Sequence, residues 1–113
     1  MVEEKIPYND FTKLDLRVGQ IAKVEDHPNA DKLYVLIVDL GEDKDRLIVA
    51  GLKPHYKPEE LEGKKAIFIT NLEPTKIRGI ESQGMILAAA SPNDETVCIL
   101  QPEKDVEIGS KIR

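Results

Sequence analysis

The densest cluster of anion-binding side chains lies between residues 71 and 85. There Asn71-Leu72-Glu73-Pro74-Thr75-Lys76-Ile77-Arg78-Gly79 is followed by Ser82 and Met85. Arginine can meet phosphate with a planar fork of donors and lysine with a compact charge. Pro74 and Gly79 bound the stretch, and an extended backbone between them would turn Lys76 and Arg78 to one side. On its own, a loop with two cations fits a solvated surface equally well. Catalytic patterns fail nearby. Gly79-Ile80-Glu81-Ser82-Gln83-Gly84 carries a serine between glycines, but a nucleophile elbow needs glycine two residues before the serine, and Ile80 stands there. Gly63-Lys64-Lys65 is no phosphate loop, because Pro58 replaces its first glycine and Lys65 its metal-binding hydroxyl.

Metal ligation is equally thin. His27 and Asp31 lie four apart beside Asp26, but Pro28 prevents a helix from aligning them, and His55 stands alone between Pro54 and Tyr56. A structural zinc needs about four ligands, mostly Cys or His, and the chain has one Cys and two His. The histidines are therefore expected to cap loops or face solvent, and Cys98, between Val97 and Ile99, to be a buried thiol. Asp15 and Arg17 are expected to form an internal ion pair. No catalytic residue, metal or cofactor is expected.

Nucleic-acid chemistry remains. Aromatic residues make up only 4% of the chain, too few for the stacking platforms that generic single-strand binders use. A folded RNA read through its backbone and contour needs fewer rings and well-placed cations. The net charge of −5 opposes binding to a polyanion, but its distribution is uneven. Residues 64–84 carry Lys64, Lys65, Lys76 and Arg78 against Glu73 and Glu81, whereas residues 39–45 and 93–107 are acidic. An acidic remainder would limit indiscriminate adhesion while leaving one face competent.

The elements that must position these groups are short. Turn signals recur every 8–15 residues, with β-rich runs at 21–24, 34–40 (YVLIVDL), 46–50 (RLIVA), 65–71, 85–90 and 96–101. The 34–40 run is almost wholly apolar and reads as a central strand covered on both faces. Gly41-Glu42-Asp43-Lys44-Asp45 reads as a hairpin loop. Pro58-Glu59-Glu60-Leu61 permits one helical turn ending at Gly63, and residues 9–14 permit another, capped by Asn9 or Asp10. Alternating apolar residues at 106–112 would suit an edge strand, sealing a barrel or pairing with a partner. Such short strands with one interposed turn of helix suit a small barrel of OB-fold type.

At 113 residues the chain has the size of a single domain, 1–113, with residues 1–10 as a short lead. One cysteine excludes an internal disulfide framework and fits a reducing compartment. No apolar stretch approaches the ~20 residues of a membrane span, and the acidic start lacks the apolar region of a signal peptide. A cytoplasmic location is expected.

Four ordered blocks then converge. Asp15-Leu16-Arg17-Val18-Gly19-Gln20-Ile21, His27-Pro28-Asn29-Ala30-Asp31-Lys32-Leu33-Tyr34, the RLIVAGL run at 46–52 and NLEPTKIRGIESQGMILAA at 71–89 resemble the EMAP II-type tRNA-binding domain. That module occurs at the end of many methionyl-tRNA synthetases, in synthetase-associated cofactors and as stand-alone proteins. The resemblance covers about Phe11 to Arg113. It implies an all-β, five-stranded Greek-key OB barrel with extra C-terminal strands and short helices. It also implies non-catalytic, shape-directed binding of tRNA rather than DNA, a homodimer, no membrane association, and a methionyl-tRNA synthetase as a further candidate partner or parent chain. Carried over by position, it marks Lys32, Arg46, Asn71, Lys76, Arg78, Ser82 and Met85 as RNA-binding residues. Glu73 stands where many relatives carry lysine, which weakens the positive field of the loop. Relatives that act as export chaperones imply an alternative, a peptide-binding groove; a pure dimerisation subunit of a synthetase is another.

Overall fold

A computed structural model describes residues 3–113. Its central element is β1 (Leu16–Asp26), eleven residues long, which pairs antiparallel with two neighbours along different parts of its length. Its first half, from Leu16 to Gln20, pairs with β4 (Lys65–Ile69); its second, from Gln20 to Asp26, pairs with β2 (Tyr34–Asp39). The register shifts between Ile21 and Lys23, leaving Ala22 as an extra residue. Such a bulge sharpens the local twist and bends the strand, so that one strand serves both halves of a barrel. Gly19 lies inside this strand rather than before it: a Cβ there would stand 2.8 Å from both Leu40 Cδ2 and Phe68 Cδ1. The glycine makes room for the Phe68 ring.

β3 (Arg46–Ala50) returns antiparallel on β2, and the sheet is completed by β7 (Met85–Ile86) on β4, giving the order β3-β2-β1-β4-β7. One backbone bond and two side-chain bonds complete the closure between β3 and the segment before β7. The Gln83 N–H donates to the Leu47 carbonyl at 2.8 Å, the Leu47 N–H to Gln83 Oε1 at 2.9 Å, and the Val49 N–H to Ser82 Oγ at 3.0 Å. Between β3 and β4 lies α2 (Pro58–Leu61), whose Leu61 is fully buried. A helix between the third and fourth strands of a five-stranded Greek-key barrel defines the OB-fold. The core comprises Ile21, Leu36, Val38, Ile48, Leu61 and Phe68, all 0% exposed, with smaller residues around them.

Two small antiparallel pairs are added: β5 (Thr75–Ile77) with β6 (Ile80–Ser82), and β8 (Ala88–Ala90) with β9 (Val97–Ile99). The run 85–90 is therefore split into β7 and β8. The 106–112 tail lies along the first half of β1: Val18 N–H donates to Ser110 O, Gly109 N–H to Val18 O and Ile112 N–H to Leu16 O, all within 2.9 Å. It seals the barrel within the chain. Asp15 and Arg17 form the expected ion pair at 2.9 Å. Two expectations are corrected. Cys98 is exposed, because its inward-facing neighbours on β9 turn it outward. The first helix, α1 (Tyr8–Phe11), begins after Pro7 with no side-chain cap from Asn9 or Asp10 and buries none of its residues. Among the described residues, no helix is long and apolar enough to cross a membrane.

Candidate nucleic-acid interface

The 71–85 segment, read in sequence as a loop, contains the β5–β6 hairpin. Its connection is two residues, Arg78 and Gly79, with φ of +53° and +93°. Positive φ at both positions is the type I′ turn, whose twist matches that of the strands it joins. Asparagine followed by glycine is the favoured pair there. An arginine in the left-handed region therefore sits where its backbone is strained. Its side chain projects from the hairpin tip, exposed.

The hairpin has two faces. Thr75, Ile77 and Ser82 line an apolar groove of about 470 Å³, walled on its other sides by Val49, Leu52, Leu72, Met85 and Val97. Lys76, between Thr75 and Ile77, points away from that groove, opposite Glu81 on β6. The turn therefore separates Lys76 from the extended arrangement expected of the sequence: Lys76 lies on the outer face and Arg78 at the tip. Lys32, exposed, belongs to the 27–33 loop that contacts the tip. Among the described residues, Lys32, Lys76 and Arg78 have no carboxylate within ion-pairing distance. Met85, 45% exposed, stands at the groove's edge rather than in the core.

The other three sequence candidates have partners inside the protein. The Arg46 guanidinium donates to both Glu42 carboxylate oxygens at 2.8 Å and to the carbonyls of Thr70 and Gln83 at 2.6 and 3.1 Å. It ties the β2–β3 loop to the end of β4 and the approach to β7. Asn71 accepts from the Asp15 N–H at 2.8 Å and donates to the Lys13 carbonyl at 2.7 Å, fastening the N-terminal segment to the same place. Ser82 is 6% exposed; its hydroxyl accepts from the Val49 N–H and donates to the Gly84 carbonyl at 2.9 Å. Beside them, Asp15 accepts a hydrogen bond from the Thr70 hydroxyl, and that bond, with the Arg17 guanidinium, holds its carboxyl below the usual carboxylate range. Lys65, counted with the cationic segment, is paired with Asp105 at 2.6 Å.

Sequence reasoning missed the residues that anchor the hairpin tip. His27 caps its own loop, as one of the two expectations had it, by accepting from the Asn29 N–H at 3.0 Å, but it does not face solvent: it is 4% exposed and its Nε2 lies 2.9 Å from the Ile77 carbonyl. Gln83, whose side chain and backbone both bond Leu47, was also unmarked. The available signal was Ile77-Arg78-Gly79-Ile80, a glycine-bearing two-residue turn between β-branched residues, disguised by arginine in the place of asparagine.

A closed OB barrel with an exposed cationic hairpin tip beside an apolar groove defines a small binding module. Residues 16–111 match the family model "Putative tRNA binding domain", and the chain belongs to the tRNA-binding domain family. Methionine–tRNA ligase of Pyrococcus horikoshii is 57% identical over 97% of this chain, which spans only 15% of that enzyme's length. Among solved structures, a MetRS-related protein from Pyrococcus horikoshii superposes with a TM-score of 0.90 at 38% identity, covering 98% of this chain and all of that one. The chaperone CsaA of Bacillus anthracis superposes with a TM-score of 0.85 at 29% identity, covering 97% and all of the respective chains.

Proposed function

We propose that this protein is a non-catalytic, structure-specific tRNA-binding module, one folded unit over residues 1–113, that presents Arg78, Lys76 and Lys32 to the phosphate backbone. It acts in the cytoplasm as a homodimer, as a subunit or appended domain of a methionyl-tRNA synthetase that aids tRNA capture. The observation that carries this reading is Arg78. Folding favours Asn or Gly at φ +53° in a type I′ turn, and an Arg there costs on the order of 1 kcal/mol. Among the described residues the guanidinium has no ion-pair partner that would return that cost, so we take its presence to reflect a partner. Arg46, Asn71 and Ser82 support the site by holding strands and termini in register, and Met85 offers an apolar contact at the groove. Dimerisation is supported by Tyr8, Phe11 and Leu14, each at least 40% exposed, beside Ile112.

The test is a fluorescence titration of unfractionated tRNA against the wild type, Arg78→Asn and Lys76→Ala across a range of salt. Arg78→Asn keeps the turn and removes the cation. Each lost phosphate contact lowers the log–log salt slope by roughly 0.7–0.9. Unchanged affinity and slope in both variants would refute the assignment. The apolar groove, with Glu73 its sole ionisable wall residue among the described residues, favours a second reading: capture of apolar peptide side chains, in keeping with the likeness to a chaperone. In that case peptides compete with tRNA, and Leu72→Ser weakens peptide binding while Arg78→Asn leaves it intact.

A further inference from the structure

The 27–33 loop joins β1 to β2 and carries none of the proposed RNA contacts except Lys32, yet it reaches the β5–β6 hairpin at its tip. The buried imidazole of His27 has two fixed partners. A carbonyl oxygen only accepts, so Nε2 carries the proton that it donates to the Ile77 carbonyl, 2.9 Å away. A backbone N–H only donates, so Nδ1 accepts from Asn29 N–H at 3.0 Å. Asn29 then extends the contact: its Nδ2 lies 3.4 Å from the Arg78 carbonyl, and a Cβ on Gly79 would sit 3.8 Å from the same nitrogen. Ile77, Arg78 and Gly79 are thus each met by His27 or Asn29. A separate two-stranded sheet of three-residue strands has little stability of its own, and the strained φ of Arg78 makes this tip the place where it would fray.

We propose that His27 is a positioning residue for tRNA binding: through Ile77 it locks the hairpin turn so that Lys76 and Arg78 meet phosphate in a fixed register. This rests on the tRNA-binding reading above and adds to it a residue that touches no RNA. The 27–33 loop thereby couples Lys32, on its own backbone, to the two hairpin cations, making one rigid three-cation surface from two segments some fifty residues apart.

The chemistry of the two ring nitrogens supplies the test. Glutamine places its amide nitrogen as many bonds from Cβ as Nε2, so His27→Gln keeps the donor to Ile77 and gives up the acceptor for Asn29. Asparagine matches the reach of Nδ1, so His27→Asn keeps that acceptor and loses Ile77. Both variants lose the ring's packing, so a purely structural role affects them alike. Wild type, both variants and Arg78→Asn are titrated with tRNA across salt, and amide hydrogen exchange of residues 75–82 is measured in the free proteins. The expected result is that His27→Gln retains the wild-type slope, while His27→Asn lowers it by roughly 0.7–1.8, one to two phosphate contacts. His27→Asn should also speed exchange at the hairpin at least tenfold with β1 to β4 unaffected. Equal slopes and equal hairpin exchange in the two variants would overturn the proposal. If the wild type binds no tRNA, or Arg78→Asn leaves the slope unchanged, the tRNA reading fails, and the exchange comparison still decides whether His27 anchors the hairpin.

Discussion

Replacing Ser82 with alanine separates scaffold from contact, because the resemblance marks this serine for RNA while the structure buries it. The hydroxyl satisfies the Val49 N–H at 3.0 Å, and Val49 is itself only 6% exposed. Alanine leaves that donor without a partner and also removes the bond to the Gly84 carbonyl. An orphaned buried donor costs about 1–3 kcal/mol, which for a chain of this size lowers Tm by roughly 4–12 °C. Urea titration followed by circular dichroism gives the first figure directly, with the midpoint falling and the m-value unchanged. Starting from a stability of about 5 kcal/mol, even the largest loss leaves about 97% of the molecules folded at 25 °C. Destabilisation alone would then change tRNA affinity by a few per cent. A variant that is within 0.5 kcal/mol of wild type by the ~1 kcal/mol scale of single hydrogen bonds, yet binds tRNA tenfold more weakly, would refute the scaffold role and return Ser82 to the interface.

Two further outcomes follow from neighbouring groups. Asp15, with its carboxyl held low by Thr70 and then by Arg17, contributes stability that is present above its unfolded value of 3.8 and is lost as pH falls below it. Asp15→Asn should therefore cost about 1 kcal/mol at neutral pH and flatten the acid limb of a stability–pH curve; an unaltered acid limb counts against the pairing. Glu73 is exposed beside the hairpin, so Glu73→Lys removes an anion and adds a cation, raising tRNA affinity several-fold at low salt and steepening the slope. If Glu73→Lys binds more weakly, Glu73 itself contacts the ligand.

The apolar runs announced β2, β3 and β4 because burial on the pleat leaves a pattern that a single chain displays, and Pro58 with Gly63 announced α2. β1 was legible only in its second half. Gly19 reads in sequence as punctuation, and nothing local reveals that Phe68, some fifty residues away, occupies the volume its side chain would need. The β5–β6 hairpin was hidden for a related reason: its turn carries arginine where the turn chemistry calls for asparagine. At the site, charge and residue type were visible but commitment was not. Arg46 and Lys76 look alike as cations, and only the fold shows that Glu42, Thr70 and Gln83 converge on the first. His27 illustrates the converse, a residue passed over because its partner, the Ile77 carbonyl, is a backbone atom with no sequence signature.

That distinction between committed and free cations also accounts for how a chain of net charge −5 can address a polyanion. Arg17 is paired with Asp15, Lys23 with Glu25, Arg46 with Glu42, Lys53 with Asp26 and Lys65 with Asp105. Each pair removes a cation from the outward field at its own position. Lys32, Lys76 and Arg78 are among the cations with no ion pair among the described residues, although Glu81 stands across the strand pair from Lys76. They lie on two segments that His27 and Asn29 hold together. Since exposed charges are screened beyond about 8–10 Å at physiological salt, a phosphate at the proposed hairpin site would respond to these three cations and to the neighbouring Glu73 and Glu81. The sum of charges sets repulsion at long range; the arrangement of unpaired ones sets attraction at contact. On the proposed reading, selectivity would follow from the same division, because an RNA would have to bring phosphates to this surface with the right contour before attraction outweighed the acidic remainder.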